Sequence, residues 1–116
     1  LTGELLAFTR NADGSLANRR IWAAMPGEMP DGISLDAEGA VWVALWEGGA
    51  VHRYLPDGTL DAVLSVPVRN VTACALHDGD LFITTSAVDT PGNPLAGAVF
   101  RAEVGVAAAP IGAFAA

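Results

Sequence analysis

Apolar and polar residues alternate in short runs along the chain, and Gly, Pro and Asp-Gly pairs cut one run from the next. No segment sustains an apolar period of 3.6 residues over helical length, whereas two-residue alternation bounded by turn residues marks half-buried strands. The pattern predicts an all-β chain with strands at residues 4–9, 19–23, 33–36, 41–46, 50–55, 62–66, 72–77, 81–86 and 98–103. Neighbouring strands follow one another at about eight to twelve residues, the rhythm of antiparallel meanders.

The chain also repeats itself. Gly3-Glu-Leu-Leu-Ala-Phe8 followed by Asp13-Gly14-Ser-Leu16 returns as Gly49-Ala-Val-His-Arg-Tyr54 followed by Asp57-Gly58-Thr-Leu60, with the two Asp-Gly pairs 44 residues apart. Ile33-Ser-Leu-Asp-Ala-Glu-Gly-Ala-Val-Trp-Val-Ala44 has its counterpart 40 residues on in Ala73-Cys-Ala-Leu-His-Asp-Gly-Asp-Leu-Phe-Ile-Thr84. Gly97-Ala-Val-Phe100 opens a third copy of the first element. Four short strands repeated at roughly 40–50 residues are the pattern of β-propeller blades, whose sheets bury their faces against one another. Leu5, Val41, Val43 and Leu81 are then expected in the core. The strands make up the outer half of one blade, one whole blade and most of a third. About two and a half blades do not close a ring, so the sequence is expected either to belong with further blades or to cover its open sheet faces by self-association.

Composition narrows the partners. A chain of 116 residues suits one small domain or part of a larger one. Thirteen acidic against six basic side chains, a net charge of −7, argue against nucleic acid and against anionic membrane surfaces. With 52% hydrophobic and 16% charged residues, the chain is built to bury a core. No apolar run approaches the roughly 20 residues of a membrane span, and no basic region followed by an apolar one marks a secretory leader. All six basic residues are Arg, which suggests a GC-rich bacterial gene. The cytoplasm is the expected compartment, with the periplasm as the alternative.

Most chemistry-bearing residues have a plain structural reading. The Asp-Gly pairs at Asp13, Asp57 and Asp78 are hairpin turns and lack the alternating carboxylates of a calcium loop. His52 and His77 lie far apart, and no Ser sits in a Gly-x-Ser-x-Gly elbow. The single cysteine, Cys74, lies inside an apolar strand, where a thiol packs as a small hydrophobe. Trp42 and Trp46 share one sheet face, and Trp46, at the strand's end, could border a channel. Thr72 occupies the repeat position of Gly32 and is a second candidate there. On pattern alone, Pro30-Asp31-Gly32 is a turn.

The run from Pro30-Asp31-Gly32 through Asp36, Gly39, Trp42, Trp46 and Gly48-Gly49 to Arg53-Tyr54 closely resembles the senescence marker protein (regucalcin)/gluconolactonase/luciferin-regenerating-enzyme family. The resemblance continues in Val71-Thr72-Ala-Cys74, Leu81-Phe-Ile-Thr84 and Pro94-Leu-Ala-Gly97-Ala-Val-Phe100, and so covers essentially the whole chain. It implies a six-bladed propeller of which residues 1–25 supply the outer strands of one blade, 31–67 a complete blade and 71–116 most of the last. It also implies a divalent metal in the axial channel (Ca²⁺, Zn²⁺, Mn²⁺ or Mg²⁺) and hydrolysis of a sugar-type lactone. The resemblance assigns the metal three ligands: a Glu near the N-terminus, an Asn in a middle blade, and the Asp of Pro-Asp-Gly. Of these, the sequence contains Asp31. Asp31 is thus implied as metal ligand and as possible base, with Thr72 and Trp46 lining the substrate's place. The alternative is a propeller segment that binds or supports without catalysing, because fold does not fix function.

Overall fold

The computed structural model describes residues 2–111, which form nine strands and no helix. In chain order these are β1 (Glu4–Arg10), β2 (Leu16–Ala24), β3 (Met29–Leu35), β4 (Val41–Trp46), β5 (Ala50–Tyr54), β6 (Leu60–Ser65), β7 (Asn70–His77), β8 (Asp80–Ser86) and β9 (Val99–Glu103). Every expected strand is present, with ends shifted by a few residues. Residues 112–116 of the expected last segment lie outside the described residues.

The nine strands pair antiparallel, each with its neighbour in sequence. The strands form a two-stranded sheet β1-β2, a four-stranded sheet β3-β4-β5-β6 and a three-stranded sheet β7-β8-β9. The hairpin turns carry the expected residues: the Asp13 carboxylate accepts the Ser15 amide and that of Asp57 the Thr59 amide, each at 2.9 Å, with Gly14 and Gly58 left-handed just after the aspartates. Self-pairing of this kind is that of tight turns, as the Asp-Gly pattern predicts.

The core explains why β4 has no polar position. Its odd residues Val41, Val43 and Leu45 pack with Ala23, Met25, Ala50 and Tyr54, joining the middle sheet to the first. Its even residues Trp42 and Ala44 pack with Val51, Val71, Cys74, Leu81 and Ile83, joining it to the third. A strand buried on both faces reads as a continuous apolar run, and the middle sheet is sandwiched as a propeller blade is. Of the expected core residues, Val41, Val43 and Leu81 are buried and Leu5 is half-buried against the first cluster. Polar contacts reinforce both seams: Trp22 Nε1 donates to the Pro56 carbonyl at 3.0 Å, and Ser34 Oγ donates to the Cys74 carbonyl at 2.6 Å. Beyond β9 the chain returns beside the end of β3 in an isolated antiparallel bridge between Asp36 and Ala108, where the Ala37 amide donates to Ala107 O and the Ala109 amide to Leu35 O.

Candidate functional site

The inner strands β3 and β7 begin at the same end of their sheets, and both are irregular there. In β3 the pairing skips from Pro30, opposite Leu45, to Ile33, opposite Val43. Asp31 and Gly32 therefore face one partner residue, which is a β-bulge, a device that re-aims side chains at the ends of sheets. Pro30 lacks the N–H that a regular ladder would use. The Pro-Asp-Gly element is thus a bulge within a strand that starts at Met29, where the pattern alone reads as a turn before a strand at Ile33. In β7 the pairing skips Thr72, between Val71 and Ala73, so the repeat position carries a bulge again.

Gly32 brings the two irregularities together. A Cβ on Gly32 would lie 2.8 Å from Ala73 Cα and 2.8 Å from the Thr72 carbonyl oxygen, so only a residue without a side chain lets β3 approach β7 this closely. Asp31 and Thr72 accordingly sit at neighbouring strand entrances. The Asp31 carboxylate is exposed and has no hydrogen-bond or ion-pair partner among the described residues. The Thr72 hydroxyl shares a 2.7 Å hydrogen bond with that of Thr84 on β8. Trp46 is half-buried at the end of β4, opposite Met29, and so lies at the same end of the middle sheet but one strand out. Close by, Arg69 and Glu47 form an exposed ion pair at 3.1 Å.

As a metal site these residues are incomplete. Among the described residues, no three His, Cys, Asp or Glu side chains converge where they could hold an ion. A single carboxylate falls far short of the six to eight oxygens Ca²⁺ takes, or the three or four protein ligands of a Zn²⁺ site.

The strongest electrostatic feature was not legible in the sequence. Asp36, buried at the far end of β3, accepts the amides of Glu38 and Ala40 on one oxygen, and Trp42 Nε1 and Arg53 Nε on the other, at 2.9–3.0 Å. Arg53 is itself 9% exposed, stacks over Trp42 and pairs with Glu38 and Asp61 besides. Burial penalises both charges. Even so, bonds from Arg53, Trp42 and the two amides hold Asp36 below the ordinary carboxylate range, and bonds to Asp61, Asp36 and Glu38 hold Arg53 above its usual value. The available signal was Arg53 itself, which the two-residue alternation of β5 places on the face of Val51, opposite Ala50 and Tyr54, and so turns into the seam that holds Trp42. Cys74 fits its expected inert role: burial pushes the thiol up to about 11, and Sγ lies 3.7 Å from the Trp42 carbonyl.

Comparison with known proteins bears on this geometry. Residues 1–87 match the model of the SMP-30/Gluconolactonase/LRE-like region. The chain is 37% identical over 97 residues to the pentonolactonase XacC of Haloferax volcanii, covering 73% of this chain and 33% of the relative. It is 33% identical over 111 residues to the L-arabinolactonase of Azospirillum brasilense, covering 89% of this chain and 37% of the relative. Among solved structures it superposes with a TM-score of 0.83 on a calcium-binding protein, regucalcin, from Agrobacterium tumefaciens, at 27% identity over 93% of this chain and 41% of that one. This chain spans about a third of the length of the curated relatives it matches. A family model covering most of the residues, and a fold shared with the family's solved structures, show that the chain belongs to the SMP-30/gluconolactonase/LRE-like family.

Proposed function

We propose that this chain contributes to the hydrolysis of a sugar-type lactone, with Asp31 as the reacting carboxylate. The observation that carries the reading is an exposed, unpartnered carboxylate aimed by a bulge at the entrance of an inner strand, in a family whose relatives include named lactonases. In this reading the three sheets are consecutive blades of a six-bladed ring, at residues 1–25, 31–67 and 71–116. Thr72 and Trp46 border the lactone's place.

Water attacks the lactone carbonyl carbon while Asp31 takes its proton. The ring carbon–oxygen bond then breaks, the ring oxygen recovers that proton as a hydroxyl, and an open-chain hydroxy acid results. A divalent cation (Ca²⁺, Mg²⁺, Zn²⁺ or Mn²⁺) would take Asp31 as one oxygen ligand and polarise the carbonyl. Among the described residues the donor set does not by itself complete such a site.

The test is lactone hydrolysis by the full polypeptide, followed by proton release on gluconolactone, against its Asp31→Asn variant. The variant is expected to lose about 100-fold or more in kcat, the usual contribution of a positioned acid–base group, with its folding unchanged. Full activity in the variant would overturn the assignment and leave the binding-segment reading in its place.

A further inference from the structure

The connections at the Asp31 end differ between sheets. The β4–β5 connection takes three residues, 47–49, whereas the β8–β9 connection at the equivalent place takes twelve, 87–98. The extra length does not hang outward. It leaves Ser86, whose partner in the ladder is Asn70 at the start of the inner strand β7. Asn70 Nδ2 then donates to the Val88 carbonyl at 2.7 Å, drawing the loop back over that inner strand. Asn93 Nδ2 donates to the Pro67 carbonyl at 3.1 Å, fixing the loop's far part to the connection that enters β7. Asn70 is 3% exposed, and its Oδ1, like Thr90 Oγ1 in the loop, is buried without a partner. Buried polar groups left unsatisfied are costly and rare, and they concentrate where placement serves something other than stability.

We propose that residues 87–98 form a wall of the lactone site beside Asp31 and Thr72, that Asn70 is the positioning residue holding that wall over β7, and that the wall selects lactones by size. The proposal rests on the lactone-hydrolase reading above. Long loops held on a rigid β scaffold are where specificity is set, and a displaced wall changes the fit of one substrate relative to another. Asn70 touches no reacting atom in this scheme and acts through the Val88 carbonyl.

Two variants of the full polypeptide test this. Asn70→Asp keeps the volume but replaces the donor with an acceptor facing the Val88 carbonyl. Asn93→Ala removes the second anchor from a half-buried position and stands in if the first variant fails to fold. Amide hydrogen exchange across 87–98 reports the wall, and kcat and KM for a five-carbon lactone (arabinonolactone) and a six-carbon one (gluconolactone) report selection. Exchange is expected to rise about tenfold. The kcat/KM ratio is expected to shift by about fivefold toward the six-carbon lactone, through KM, with kcat nearly unchanged. Faster exchange with an unchanged ratio would overturn the wall while leaving lactone hydrolysis standing. A parent polypeptide that hydrolyses neither lactone would remove the reading beneath it.

Discussion

Gly32 is where sequence, packing and the proposed chemistry meet most closely. The atoms that a Cβ would strike are the Ala73 Cα and Cβ and the Thr72 carbonyl oxygen of β7, none of which can swing aside as the end of a long side chain could. Gly32→Ala must therefore force β3 and β7 apart, at about 1–3 kcal/mol, the usual range for overpacking. Urea unfolding should show the loss as a lower midpoint at unchanged slope; an unmoved midpoint would mean that the two strands do not meet as described. The same locality made part of the site readable in advance. Thr72 could be matched to Gly32 by counting along the repeat, and bulges at both places account for the match. Asp31 is singled out by the family resemblance, because Pro-Asp-Gly taken alone has the composition of a turn. Asn70 was not legible as an anchor, since its partner is a backbone carbonyl 18 residues away and backbone carbonyls leave no mark on a sequence.

Strands were the legible elements, because burial on one or both faces imposes a period that residue types must obey. What ties strands together within the middle sheet was not, because a buried ion pair is a three-dimensional coincidence of polar residues spaced 17 apart. Asp36 holds the β3–β4 hairpin, the Trp42 indole and Arg53 at once. Removing one partner of a buried pair leaves the other's charge uncompensated, so Asp36→Asn should cost about 3 kcal/mol at neutral pH. The pH dependence follows from the direction of the shift. A carboxylate held below its ordinary value of 3.8 contributes stability that is complete above that value and is lost as pH falls through the lower, folded-state value. Urea midpoints at pH 7, 5 and 3 and below should show the gap between parent and variant constant from 7 to 5 and narrowing only under acid conditions. A gap equally wide at every pH would assign the cost to packing alone.

Across the molecule, burial is unevenly shared. The middle sheet supplies both core clusters, and Val43, Ala44, Leu45 and Val51 are fully buried. The flanking sheets each turn one face outward: Leu6, Phe8 and Ile21 are 40–56% exposed on β1 and β2, and Phe82 and Val99 are 36% and 65% exposed on β8 and β9. A two-stranded sheet is marginal alone and depends on what it packs against, here through Leu5, Trp22 and Ala23. Local opening free energies should then rank by burial, and native-state hydrogen exchange on the 116-residue chain reads that ranking directly. Amides of β4 and β5 should exchange slowest and near the global unfolding limit, β7 and β8 somewhat faster, and β1, β2 and β9 fastest by at least about tenfold. Equal protection across the three sheets would mean that the chain opens as one cooperative unit, and that the outer sheets draw more stability from the middle one than their exposed faces allow.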